Sequence, residues 1–169
     1  MKNKWILQVF IISFILSAVF SGISSFISDF NIILLIFILL LVIGIGIIFD
    51  MIGVATLTAQ EAPFHARSAK KIKEASASLK MIKNSTKVSS VCNDIVGDIC
   101  GIVSGGLGTT LALYIINYHG VNALVATTLV TSFISSLTVG GKAYCKNIAM
   151  KKSDNIVLLA GKIIHIFSK

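Results

Sequence analysis

Charge is scarce in this chain. Only 13% of its 169 residues are Asp, Glu, Lys or Arg, 55% are hydrophobic, and the mean hydropathy is +0.91. A soluble domain of this length needs a more polar surface than that composition supplies, so the long apolar runs indicate an integral membrane protein. Cysteine is sparse too: Cys92, Cys100 and Cys145 contain no Cys-x-x-Cys pair. Cys92 and Cys100 lie on one predicted helix, about 12 Å apart along its axis at 1.5 Å per residue. They cannot bridge each other there, and buried free thiols are expected. No His or Cys cluster supports zinc or copper. His65 and His119 fall in predicted loops and His165 in the tail. With no activated nucleophile and no phosphate-binding loop, an enzyme is not expected. Acidic residues are the rarest charges, seven against 15 Lys and Arg, for a net charge of +8. The basic residues lie outside the apolar runs or at their ends. That placement fits membrane topology, whereas nucleic-acid binding needs a solvated basic face with readout groups.

The apolar runs divide the chain. The first extends from Trp5 to Ile27 without a charge, and a Ser-Asp-Phe-Asn turn, Ser28 to Asn31, follows. The second runs from Ile32 to about Ala59 and holds one charge, Asp50. Each exceeds the ~20 residues that cross the hydrocarbon as a helix. A third span is expected from Val88 to Tyr114, a short turn at Asn117–Gly120, and a fourth span from Val121 to Val139. Lys2 and Lys4, the seven basic residues of the 60–87 loop and the six of the C-terminal tail then account for all 15. The positive-inside rule places them on one side, giving four spans in the cell (inner) membrane with both termini cytoplasmic. A competing reading makes residues 1–25 a cleaved signal peptide and leaves three spans in the same orientation.

Between spans two and three, Pro63 suits a turn or the first turn of a helix. From Ala66 onward, Ala69, Ile72, Ala75 or Ser76, Leu79 and Ile82 recur at helical spacing with lysines between them. This predicts an amphipathic cytoplasmic helix over 63–86, lying on the membrane surface against anionic lipid. The tail from Ser153 repeats the pattern more briefly. The fold class expected is therefore all-α: four transmembrane helices with a cytoplasmic amphipathic helix.

Three carboxylates stand inside stretches that read as membrane spans: Asp50, Asp94 and Asp98. A carboxylate in hydrocarbon is costly and normally faces protein or water with a matching cation, proton or hydrogen bonds. Asp94 and Asp98 are four residues apart and so share a helix face, with Asn93 adjacent. Gly97, Gly101 and Gly105 repeat at the same spacing, which favours close helix packing. Counted from inner boundaries near Val88 and Gln60, Asp94 lies about 9 Å deep and Asp98 and Asp50 about 15 Å deep. The three can therefore meet. Three carboxylates with amide and hydroxyl oxygens suit a hard cation such as Mg²⁺. The alternative is a structural ion pair with Lys142, or protonation.

Three segments carry a family resemblance: Phe49-Asp50-Met51-Ile52-Gly53-Val54-Ala55, Val91-Cys92-Asn93-Asp94-Ile95-Val96-Gly97-Asp98 and Gly140-Gly141-Lys142-Ala143-Tyr144-Cys145-Lys146. Their order, around a basic cytoplasmic helix, resembles the transmembrane domain of the CorB/CorC/CNNM family of magnesium and cobalt transport proteins, over about residues 35–165. In that family the segments usually read Ser-Gly-x-Glu-Thr-Ala, Gly-Asn-x-x-x-Asn and Gly-Glu-x-x-Pro-Lys, and oxygens from those places hold the cation. Asn93, Gly141 and Lys146 match. Asp50 stands at the family's serine and Gly97 at its second asparagine. Gly53 and Lys142 replace its two glutamates, and Cys145 its proline.

The resemblance implies an extra N-terminal transmembrane helix (1–30) before a CNNM-like domain (31–169), in a short form without the family's cytoplasmic domains. It implies divalent-cation transport or binding, of Mg²⁺ ahead of Co²⁺, at an inward-facing site of Asp50, Asn93, Asp94, Asp98 and the backbone near Gly141. The partners expected are membrane lipid, the cation, a second copy in a homodimer and a separate cytoplasmic regulatory protein, but no nucleic acid. The rival expectation is a non-transporting accessory or partner-binding membrane protein whose aspartates Lys142 neutralises.

Overall fold

The computed structural model describes residues 7–8, 10–15, 18–19, 22, 31–69 and 73–167. The described residues are helical apart from short turns, with no strand among them. From residue 31 onward the elements are α1 (Ile32–Thr58), α2 (Glu61–Ala69), α3 (Lys73–Lys83), α4 (Ser85–His119), α5 (Ala123–Lys151) and α6 (Ser153–Phe167). Helices α1, α4 and α5 are each long and apolar enough to cross a membrane. The expected first span, residues 5–27, falls largely outside the described residues.

Nine of the first seventeen residues of α1 are Ile or Val, which are not the strongest helix formers in water. Hydrocarbon reverses that preference, because every backbone N–H and C=O must be satisfied within the segment. The helix starts are marked by side chains. Asn31 Oδ1 accepts a hydrogen bond from the Ile33 N–H at 3.2 Å, and Asn122 Oδ1 accepts one from the Leu124 N–H at 2.9 Å. Each supplies an acceptor to an otherwise orphan N–H of the first turn. The end of α4 is closed by Gly120 at φ 62°, whose N–H bonds to the Ile116 carbonyl at 3.0 Å. That left-handed cap suits glycine. Helix α4 therefore continues through the expected turn at Asn117–His119, and only residues 120–122 reverse the chain.

The chain divides into two compact units. The first comprises the segment up to Gly46 together with Ile95–Gly141. Within it, glycine admits close neighbours at Gly46, where an added Cβ would stand 2.9 Å from Cys100 Cβ, and at Gly108, where it would overlap the end of Ile134. Of the glycines expected to pack, Gly97 is buried, whereas Gly101 and Gly105 are exposed and have open space beside them.

The second unit comprises Ile47–Asp94 and Lys142–Lys169. Its core is Ala55 of α1, Phe64 of α2, Ile82 of α3, Ala149 of α5 and Val157 of α6, with Met51, Val54, Leu79 and Ile156 around it. Ser78 Oγ, fully buried, donates to the Val157 carbonyl at 3.1 Å and ties α3 to α6. The single membrane-surface helix expected over 63–86 is thus two helices, α2 and α3, with residues 70–72 between them outside the described residues. Pro63 lies in the first turn of α2, as expected. The apolar side chains of α3 described here, Ala75, Leu79 and Ile82, pack on protein rather than facing lipid. Helical periodicity identifies an apolar face but not what covers it.

Removing the largest fully buried side chain of this unit should be costly. Phe64→Ala is expected to destabilise the protein by about 3–5 kcal/mol in reversible unfolding in detergent. Leu159→Ala, at a position 64% exposed, should change stability by no more than about 0.5 kcal/mol.

Candidate functional site

The end of α1 carries Asp50 and Gly53 three residues apart, so they lie on one helix face. Gly53 is buried against Asn93 of α4. A Cβ built on Gly53 would overlap Asn93 Oδ1 and stand 2.8 Å from its Cγ. The hydrogen that glycine carries in place of a side chain therefore points at the carboxamide oxygen, and only glycine permits that approach. Asp50 lies one helical turn away from this contact.

Asn93 sits in a π-helical turn, Ser90–Val96, inside α4. Such turns replace i→i+4 bonding by i→i+5, are rare, and are frequent at functional sites. Asn93 Nδ2 donates to Ser89 Oγ at 3.2 Å. Asn93 Oδ1 is buried and has no hydrogen-bond partner. Buried polar atoms are nearly always satisfied, and an exception calls for an explanation such as an ion or water. Thr56, also fully buried on α1, is already bonded back to the Ile52 carbonyl at 2.8 Å.

Asp50 has a cationic neighbour. Lys142 Nζ of α5 lies 3.8 Å from Asp50 Oδ1, with the two side chains 27% and 17% exposed respectively. The separation is within ion-pair range but beyond hydrogen-bond length, so the ammonium balances the carboxylate without being locked to it.

The remaining predicted residues are placed less centrally. Asp94 is exposed in the second unit, within the π turn, so the α-helical step assumed in pairing it with Asp98 does not hold there. Asp98, exposed, and Gly141, partly buried, belong to the first unit. Among the described residues, no three or more His, Cys, Asp or Glu side chains are grouped to hold a metal ion. Helices α4 and α5 run further than expected, whereas α1 ends at Thr58, within a residue of its expected end. The charge-free stretch of α1, Ile32–Phe49, spans about 27 Å, and those of α4 (Ile99–Tyr118) and α5 (Ala123–Gly141) about 30 and 28 Å at 1.5 Å per residue. Each nearly matches the ~30 Å of a bilayer's hydrocarbon. Asp50, Asp98 and Lys142 are the first charged residues beyond those stretches.

Two features escaped the sequence. The π turn leaves no mark in composition or spacing. The Gly53–Asn93 contact joins residues forty positions apart, and no local pattern reports it. Of the three cysteines, Cys92 is buried as expected, whereas Cys100 and Cys145 are only partly buried. In comparisons with protein-family models, curated proteins and solved structures, the chain matches none.

The Gly53–Asn93 approach predicts a specific coupling. Gly53→Ala should destabilise the protein through overlap with the Asn93 carboxamide, and the same substitution should be better tolerated in an Asn93→Ala background. The coupling energy expected from a double-mutant cycle is about 0.5–3 kcal/mol. Additive losses would mean the two residues do not touch.

Proposed function

We propose that this chain is a membrane protein that binds and passes a divalent cation, most suitably Mg²⁺, through a site built on Asp50 and Asn93. The observation that carries the proposal is the buried carboxamide oxygen of Asn93, a hard acceptor without a hydrogen-bond partner that lies against Gly53, one turn along α1 from Asp50. Mg²⁺ takes oxygen ligands, is commonly bound through only one or two carboxylates, and keeps several waters. One carboxylate, one carboxamide oxygen and water therefore form a sufficient beginning for a cation in transit, without a three-carboxylate cage. The π turn supports the same location. So does the resemblance of residues 49–55, 91–98 and 140–146 to the cation-holding segments of the CorB/CorC/CNNM family. On that reading the site opens to the cytoplasm of a cell (inner) membrane protein that works as a homodimer.

A second reading rests on the Lys142–Asp50 pair. If that pair is only structural, the chain is a non-transporting accessory protein, and Lys142 is its permanent counter-ion.

Melting of the purified protein separates the two. Under the transport proposal Mg²⁺ stabilises the fold by mass action, by about 2.7 kcal/mol at a hundred times the dissociation constant, and Asp50→Asn abolishes the shift. Under the accessory reading Mg²⁺ does nothing, and Lys142→Met destabilises by leaving a carboxylate unpaired. Flux into liposomes containing a Mg²⁺-sensitive dye tests transport itself. Equal flux from the wild type and the Asp50→Asn, Asp98→Asn double variant would remove the claimed site.

A further inference from the structure

We infer that Lys142 is a tethered competitor at the cation site: its ammonium group holds Asp50 when no divalent ion is bound, and a divalent ion must displace it to enter. This rests on the reading of Asp50 and Asn93 as a cation site, and adds what sets that site's affinity and its choice of charge.

The geometry supplies three reasons. First, the contact is an ion pair without a hydrogen bond, at 3.8 Å, and both side chains keep partial exposure. A pair of that kind is held weakly, so its exchange is inexpensive. Second, Lys142 is the first charged residue after the charge-free stretch of α5. A lysine at the edge of hydrocarbon keeps its stem in the apolar region and its head in water, so the displaced ammonium has somewhere to go without losing its charge. Third, the Asn93 oxygen is not engaged by Lys142 or by any other hydrogen-bond donor. A cation that holds Asp50 and draws the Asn93 oxygen away from Gly53 therefore gains a ligand that the ammonium does not use. Displacement is driven by that extra ligand and by the second positive charge.

Lys142 then acts as a specificity-determining residue. A free monovalent ion carries the same charge as the ammonium but must also compete with a group fixed next to the carboxylate at high effective concentration. It gains little by exchange. A divalent ion gains twice the Coulomb attraction. The lysine thus costs the site some affinity for every ion and discriminates most strongly against Na⁺ and K⁺.

The test measures the Mg²⁺ concentration that gives half the maximal melting shift, for the full chain in detergent, with N-methylglucamine or Na⁺ at equal ionic strength. For Lys142→Met and Lys142→Gln the midpoint in N-methylglucamine should fall about tenfold, equivalent to about 1.4 kcal/mol. Na⁺ should then raise it again, as it does not in the wild type. Lys142→Arg keeps the charge and the fold, and its fork grips a carboxylate more firmly, so its midpoint should rise. Unchanged midpoints in Lys142→Met, Lys142→Gln and Lys142→Arg would overturn the competitor role while leaving the cation site in place. If the neutral variants do not fold, an unchanged Lys142→Arg midpoint is enough to overturn it. Absence of any Mg²⁺ shift in the wild type and in every variant would overturn the cation reading itself.

Discussion

Everything in this protein follows from the requirement that backbone crossing hydrocarbon satisfy its own hydrogen bonds. That requirement turns Ile- and Val-rich runs into helices against their preference in water, and it places the capping devices where the runs end. Asn31, Gly120 and Asn122 stand at such ends and close helices with side-chain or left-handed backbone geometry. It also explains where the charges are. Between Ile32 and Phe49, Ile99 and Tyr118, and Ala123 and Gly141 there is no Asp, Glu, Lys or Arg, and each interval is close to the thickness of a bilayer's apolar layer. The interior of the membrane is kept free of charge by length, and the first charges beyond it become the chemically distinctive residues.

This alters the problem that the aspartates pose. Taken from the sequence alone, they stand well inside the hydrocarbon, where isolation of a carboxylate is severe. Measured by the charge-free stretches instead, Asp50 and Asp98 stand at the limits of those stretches, where a charge costs less. Asp50 is then balanced by Lys142 at modest strength, and Asp94 and Asp98 are exposed. A weakly paired carboxylate at a membrane edge can exchange its counter-ion; a deeply buried salt bridge cannot, because removing one partner leaves an uncompensated charge.

The sequence made the spans legible because hydrophobic length is a one-dimensional property. Ile32 to Ala59 was expected and Ile32–Thr58 is found. The helix after Pro63 and the helical tail were legible from the three- and four-residue recurrence of Leu79, Ile82, Ile156 and Leu159. What covers those residues was not legible. A Lys-rich amphipathic helix looks the same whether its apolar side meets lipid or Val157, and only the packing of Phe64 and Ile82 with Ala149 and Val157 decides. The pairing of Lys142 with an aspartate could be anticipated, and Lys142 lies 3.8 Å from Asp50. The convergence of Asp94 and Asp98 on Asp50 could not be tested by helical phase, because a π turn breaks that phase inside α4.

The site and the core of the second unit share one stretch of helix. Asp50 and Gly53 alternate along α1 with Met51, Val54 and Ala55, which belong to or border the core formed with α2, α3, α5 and α6. Side chains on the same two turns therefore do two jobs. One set fixes the helix against a packed body, and the other presents a carboxylate and a gap that admits the Asn93 carboxamide. Ser89 holds that carboxamide by its nitrogen, which leaves the oxygen as the end that is oriented and unspent. A polar atom can be kept in so exact an orientation without a partner only if the surrounding backbone does not relax to satisfy it. The Gly53 contact and the core beneath it supply that stiffness. Mounting the charged end of a membrane helix on a protein core, rather than leaving it among lipid headgroups, is what holds its polar groups in fixed positions.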